Sequence, residues 1–342
     1  MSLIAVSSIL LISTSVAHAQ GLGNGRIAIS DRDNQNLAQI FTILPDGSDR
    51  QQLTTQGENL YPAWSPEGTQ LAFASTRTGN SEVWIMNADG SNQTQLTFNT
   101  PGGNFTPEWS RDGARIAYAS LLDTVGHPEV WVMNADGTSQ QRLTVTPPNP
   151  GMPTWSLLPS WSPDDTHIVY ASTITGSTQL WMMNDNGTNP IQLTNGNGPD
   201  YPDSNAPAWS RDGVAIVFWS GFENMFGEVW VMQPDGMNPQ QLTVTTDPFN
   251  SDNPEWSPDR TRIIFDTNRS GPGQVEIWMM DADGANPHFL TNGFGQSSWQ
   301  PIPFTNPIPV ASGYGLFAMA LSMLFIGTII LTRRANRSPH PS

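Results

Sequence analysis

Residues 62–97 read PAWSPEGTQLAFASTRTGNSEVWIMNADGSNQTQLT, and the fold is decided by what returns after them. The stretch has six parts in fixed order: Pro-x-Trp-Ser, a turn, an apolar triplet, a Trp-x-Met segment, then Asp-Gly and Leu-Thr. The triplets alternate small and large, as in Leu71-Ala72-Phe73 and Ile116-Ala117-Tyr118, a pattern that suits strands. The first Trp recurs as Trp64, Trp109, Trp161, Trp209, Trp256 and Trp299. The second recurs as Trp84, Trp131, Trp181, Trp230 and Trp278, with Phe41 in its place in the first unit. The Leu-Thr pairs end at Thr54, Thr97, Thr144, Thr194, Thr243 and Thr291.

Successive first Trp residues are 45, 52, 48, 47 and 43 apart. A period in the forties with four short strands per unit is that of a β-propeller blade. The ends fix the count. The first unit starts at Arg26-Ile27-Ala28-Ile29, on its second strand, whereas Ser297-Ser298-Trp299-Gln300-Pro301 is a first strand with nothing after it. The C-terminal strand therefore completes the N-terminal blade, closing a ring of six and covering edges that a linear array would expose. The predicted fold is all-β, a six-bladed propeller over residues 26–301, and the repeat-position Trp residues belong to the core between blades.

These units resemble the TolB-type propeller repeat. Its Trp-Ser-Pro-Asp-Gly motif stands here as Trp64-Ser65-Pro66-Glu67-Gly68 and Trp109-Ser110-Arg111-Asp112-Gly113, with Trp84-Ile85-Met86-Asn87-Ala88-Asp89-Gly90 as companion. The resemblance implies a TolB-like ring. It does not by itself imply partnership with the Tol-Pal system, because the α/β domain that TolB adds is not read ahead of residue 26. Similar rings accompany prolyl-oligopeptidase-like hydrolases, but no hydrolase segment follows the repeat.

Composition narrows the chemistry. The chain has 342 residues, 30 acidic side chains against 14 basic, and a net charge of −16. Every basic residue is Arg, and Cys is absent. That balance argues against nucleic acid as a partner. It also removes disulfides, thiolate nucleophiles, Cys-ligated zinc and lysine Schiff-base chemistry. Both termini carry membrane signals. Leu3–Val16 is apolar and Ala17-His18-Ala19 offers a small-x-small cleavage site, so residues 1–19 read as a secretory signal peptide and 20–25 as a linker. Residues 302–312 are a Pro-rich linker, 313–332 an uncharged transmembrane helix and 333–342 a basic cytoplasmic tail with Arg333, Arg334 and Arg337. An extracytoplasmic, membrane-anchored location follows. The segment Ile308–Leu316 with its apolar helix and Arg pair resembles an IPTL-CTERM sorting tail, which implies an exosortase-like processing enzyme. Val310 and Ala311 replace the Thr and Leu of that motif.

From second Trp (or Phe41) to Thr the spacing is 13 in all six units, whereas from Thr to the next first Trp it is 10, 12, 17, 15, 13 and 8. Strand alternation puts these variable connections and the second-to-third-strand loops at one end of the disc, and the tight Asp-Gly turns at the other. Binding residues favour variable loops. The aromatics outside the repeat pattern there are Tyr61, Phe105, Trp155, Tyr201, Trp219, Phe222, Phe226 and Phe249, the candidate partner-binding set. The Pro-rich stretch Val145–Leu157 is the leading recognition loop, with Trp155 and Trp219 in adjacent blades 4 and 5. Two readings share this end: a non-catalytic module recognising another protein, and, as the alternative, a carbohydrate-active or small-ligand propeller of lyase or glycosidase type. A calcium-stabilised repeat is a third.

Catalytic constellations do not stand out. His127, His167 and His288 sit in different blades, and there is no Gly-x-Ser-x-Gly elbow. The Asp-Gly turns and the cluster Asp31-Arg32-Asp33-Asn34-Gln35-Asn36 read as turn chemistry rather than a calcium loop. Glu108 and Glu255 precede the first Trp of opposite blades 3 and 6, where a cation across the channel would join them. Both blades also carry Arg six residues after that Trp, Arg115 and Arg262. The pattern predicts a diagonal cross-strand ion pair within each hairpin instead.

Overall fold

The computed structural model describes residues 22–98, 102–121, 127–147, 154–196, 203–221, 227–244, 250–271 and 275–303. Six four-stranded antiparallel sheets follow one another round a ring. The described residues form strands and turns and no helix. No helix among them is long and apolar enough to cross a membrane, and the signal and anchor segments expected at 1–19 and 313–332 lie outside them.

Blade 1 is assembled from both ends of the repeat. Its innermost strand is Phe294–Pro303, followed outward by Leu22–Arg32, Ala38–Ile43 and Gln51–Gln52. Ile27 pairs with Trp299 and Leu22 with Pro303. The Trp64 amide donates to Ser298 Oγ at 3.0 Å, which ties blade 2 to this closing strand.

The core lies between sheets rather than within one. Each first Trp is at most 6 % exposed and packs against the preceding blade, as Trp109 does on Ala63, Ala72, Val83 and Leu96. Trp299 joins Ile264, Ile277, Met279 and Leu290 of blade 6, so the closing joint has the same apolar contact as the others.

The constant spacing of 13 has a local cause. In blades 1–5 the Leu amide of Leu-Thr donates to the carbonyl of the residue before the second Trp position, and the Thr hydroxyl accepts the amide of that same residue at 2.9 Å. Leu53 and Thr54 clamp Ile40 in this way, Leu96 and Thr97 clamp Val83, and Leu242 and Thr243 clamp Val229. Both polar groups of one third-strand residue are thus satisfied where the outer strand ends. The Thr hydroxyl proton then goes to a Gln or Glu two residues before the Trp position: buried Gln39 Oε1 at 2.8 Å, buried Glu82 Oε2 at 2.5 Å and half-buried Glu228 Oε2 at 2.5 Å. Glu129 accepts from Thr144 and Thr146 and pairs with Arg142 at 3.0 Å. Blade 6 departs from this pattern. Its outer strand extends over His288–Asn292, and Ile277 pairs with Thr291 through a bulge.

At the other end, each Asp-Gly turn leans on the neighbouring blade. Gly47, Gly90, Gly137, Gly187, Gly236 and Gly284 all have φ between +81° and +86°. A Cβ on Gly236 would lie 2.6 Å from the Leu193 carbonyl, and one on Gly47 would lie 2.5 Å from that of Leu290. Conformation and close approach both demand Gly there. The turn carboxylates are engaged locally: Asp89 Oδ1 accepts from the Ser91 hydroxyl and amide, and Asp136 does the same with Thr138. These bonds hold both carboxyls below the usual aspartate range. Asp33 likewise accepts the amides of Gln35 and Leu37, in agreement with turn chemistry.

Candidate functional site

The innermost strands share a bulge. In blades 2–6 the residue before the inner-strand Pro is left-handed: Tyr61, Thr106, Leu158, Ala206 and Asn253, with φ from 47° to 56°. The pairing register shifts at the same places, as between Leu60 and Ala63. Each bulge turns the strand so that Pro62, Pro107, Pro159, Pro207 and Pro254 form a collar round the axis.

Within this collar lies a charged cluster. Glu108 and Glu255 line the channel together with Arg111 and Arg211. Arg111 reaches Glu108 at 3.8 Å and donates to the Trp209 carbonyl at 3.5 Å. The space left for water is about 40 Å³. A water needs roughly 10–15 Å³ by this measure, so the waist holds a few waters and no larger ligand. Burial lowers the Arg211 guanidinium to about 9, assisted by Arg111 and opposed by Glu255, Glu108 and Glu67. Burial and the like charge of Glu108 raise Glu255 to about 8, against the pull of Arg111 and Arg211. Burial also raises Glu108.

This arrangement corrects the expected hairpin ion pairs. Arg115 binds Asp185 at 2.9 Å and Arg262 binds Asp281 at 2.8 Å, both at the Asp-Gly end, whereas the two Glu turn inward. The partners they meet come from the motif itself. Blades 3 and 5 read Trp-Ser-Arg where blades 2, 4 and 6 read Trp-Ser-Pro, and the replaced position points down the channel. That departure from the repeat was the available signal. Asp165, in the motif's Gly position of blade 4 with φ 58°, accepts the amides of Arg111 and Asp112 at 2.5 and 2.8 Å, holding Arg111 from the next blade.

The four candidate aromatics among the described residues sit in different settings. Tyr61 and Phe105 are half-buried at the bulges of blades 2 and 3, and burial raises the Tyr61 hydroxyl. Trp155 is half-buried against the core between blades 4 and 5, its amide donating to Thr173 Oγ1 at 2.9 Å. Trp219 is not a loop residue. It lies in the strand Ile216–Gly221, 9 % exposed, in a small buried cluster with Leu158 and Ala206. Its ring covers Gly227, where a Cβ would come within 2.1 Å, and its Nε1 donates to Asn250 Oδ1 at 3.0 Å. Tyr201, Phe222, Phe226 and Phe249, with much of Val145–Leu157, lie outside the described residues.

The sequence reading missed an exposed apolar set at the same end. Phe98, Val145 and Val244 each follow the clamping Thr of their blades and are 71, 74 and 85 % exposed. Ile174 and Val275, in second-to-third-strand loops, join them. A further departure sits between blades 6 and 1, where Asp252 and Asp266 are cross-strand partners in a cleft. Burial pushes both carboxyls up, Asp266 further because of Asp252.

Comparison with known proteins agrees with the geometry. Residues 32–158, less than half of the chain, match the family model described as the TolB beta propeller domain. Over 58 residues the chain is 36 % identical to the Tol-Pal system protein TolB of Geobacter sulfurreducens, covering 17 % of this chain and 13 % of that protein. Over 75 residues it is 37 % identical to the TolB homolog of Chlorobium luteolum, covering 21 % and 16 %. The crystal structure of TolB from Acinetobacter baumannii superposes with a TM-score of 0.67 at 20 % identity, over 83 % of this chain and 69 % of that one. The fold is a TolB-like six-bladed propeller.

Proposed function

We propose that this chain is a non-catalytic extracytoplasmic module that recognises another protein through the long-loop end of its propeller. The observation that carries the reading is the exposed trio Phe98, Val145 and Val244, repeated at one blade position just beyond the Thr clamp. Apolar side chains presented at a fixed radius on a rigid ring provide area for a protein surface. Similarity to a Tol-Pal system protein supports an interaction role, although the aligned segments cover only 13 and 16 % of the curated relatives. The leader and anchor segments read in the sequence support the location. The carbohydrate alternative is weaker, since Trp219 is buried and the waist admits only water.

Site-specific photo-crosslinking tests the reading. A crosslinker at positions 98, 145 and 244 should trap one protein species in intact cells, whereas one at 89, 136 and 235 on the opposite end should not. Equal labelling from the two ends, or none from the first, defeats it. Stabilisation of the chain by an envelope glycan, with no protein crosslinked, moves the reading to the carbohydrate alternative.

A further inference from the structure

The second-strand residue that follows the large member of the triplet is small in four blades: Ser30, Ala74, Ala119 and Ala171. It is Trp219 in blade 5 and Asp266 in blade 6. Strand alternation places Asp266 and Asn268 on one face of the blade 6 sheet, and Asn250 and Asp252 on the same face of the inner strand. Opposite them, Phe294 and Gly295 of blade 1 complete a cleft of about 240 Å³ that Val275 borders.

The two carboxylates are poorly provided for. Asp266 lines the cleft and is 4 % exposed; its Oδ2 accepts from Asn253 Nδ2 at 3.2 Å, the backbone of Gly295 favours its charged form, and its buried Oδ1 has no hydrogen-bond partner. Asp252 Oδ1 accepts the Asn253 amide at 2.7 Å. The arginines packed around them are engaged elsewhere. Arg269 stands over the rings of Phe265 and Trp278 and bonds Thr267 and Ser251 on the opposite face, while Arg32 bonds the Asn36 carbonyl. Two adjacent acids, one with a buried oxygen that no hydrogen bond reaches, have no Arg paired with them, whereas buried Glu129 has Arg142 and Glu108 at the waist has Arg111.

We propose that this cleft is a divalent-cation site, selective for calcium, with Asp252 and Asp266 as charged ligands and Asn253 supplying a neutral oxygen. All the donors are oxygens, which excludes the N and S preference of zinc. Among the described residues no three acids or imidazoles converge, so water completes the coordination. An open, irregular oxygen site of this kind suits calcium, which tolerates flexible geometry, better than magnesium, which demands an octahedron. Asn250 does not ligate: its Oδ1 already accepts from Trp219 Nε1 and the Gly227 amide. It instead joins the cleft to the blade 5 core.

The test is calorimetric titration of Ca²⁺ into the full chain in detergent, with thermal melting in parallel. One ion should bind with a dissociation constant of about 0.1–1 mM, the range of extracellular modules with few charged ligands. It should raise the melting temperature, and equimolar Mg²⁺ should not. Asp266→Asn should weaken calcium binding at least tenfold and abolish the melting shift. Asp252→Asn, more exposed and easier to accommodate, should do the same if Asp266→Asn fails to fold. The proposal is overturned if about 10 mM Ca²⁺ gives neither heat nor shift, or if both variants bind as the wild type does. Binding lost in Glu108→Gln or Glu255→Gln but kept in the Asp variants also overturns it, by placing the ion at the waist.

Discussion

At one end of the disc the connections are copies: Asp46-Gly47, Asp89-Gly90, Asp136-Gly137, Asp235-Gly236 and Asp283-Gly284, with Asn186-Gly187 as the single variant. Each places a left-handed Gly against the preceding blade's Leu carbonyl. At the other end no two long connections have the same length, and the residues that break the repeat gather there or at the waist: Trp219, Asp252, Asp266, Arg111 and Arg211. The first end sets the angle between blades by backbone contact, which leaves little room for variation. The second end is held from below by the Leu-Thr clamps, so the connections beyond them can differ in length, although Thr146 still bonds Glu129 and Trp155 still packs on the core. The division is between a face that builds the ring and a face that the ring presents.

The sharpest attack on this division is Trp219→Ala. The ring lies at the variable end but is buried, and removing it should cost about 3–5 kcal/mol, read by chemical denaturation. A cost below about 1 kcal/mol would return Trp219 to the surface. Gly236→Ala strikes the regular end. Its φ of +81° and the Leu193 carbonyl 2.6 Å from the new Cβ should cost about 2–3 kcal/mol, with a matching fall in melting temperature. The same change at Gly79, at the variable end with φ +112° and nothing within 4 Å of its Cβ, should cost only the conformational part, about 1 kcal/mol.

The waist between the two ends should respond to pH. Glu255 titrates at about 8 in the folded ring against 4.5 ordinarily, so between these values the folded state holds a proton that the unfolded chain has released. Its contribution is therefore complete at low pH and lost as pH rises through about 8. Melting should fall between about pH 4.5 and pH 8, and Glu255→Gln should flatten that slope. An unchanged slope would show that Arg111 and Arg211 keep Glu255 ionised. The smallest effect on stability should come from Phe98→Ser, Val145→Ser and Val244→Ser together, within about 0.5 kcal/mol for each site, while the crosslinked partner is lost.

The repeat made the fold legible because blade-to-blade burial recurs in the same residue types. Six Trp positions, the constant spacing to Thr and the split first blade were sufficient for ring size and closure. The Glu or Gln two residues before the second Trp position, as in Glu82-Val83-Trp84 and Glu129-Val130-Trp131, also recurs in every blade, but its meaning needed the Thr hydroxyl it faces. The waist was misread because pairing was sought within a hairpin, where Glu108 and Arg115 are diagonal. In a closed ring the axis brings blades 3, 5 and 6 together, and residues distant in sequence become neighbours there. Trp219 and Asp266 were hidden differently. Each sits beside an apolar triplet, and only alignment of the second strands shows that the position is otherwise small.

The closing strand has a mechanical consequence. Leu22 and Pro303 are paired at the Asp-Gly end, so the chain enters and leaves the ring there, opposite the long loops. A load drawn between residue 303 and a partner held at the far face runs along Phe294–Pro303 and shears its hydrogen bonds together, against Leu22–Arg32 on one side. A load drawn between residues 22 and 303 instead peels the same pair from its open end, one bond at a time. The ring is thus a stiff link when pulled through its two faces and a weak one when pulled by its two ends.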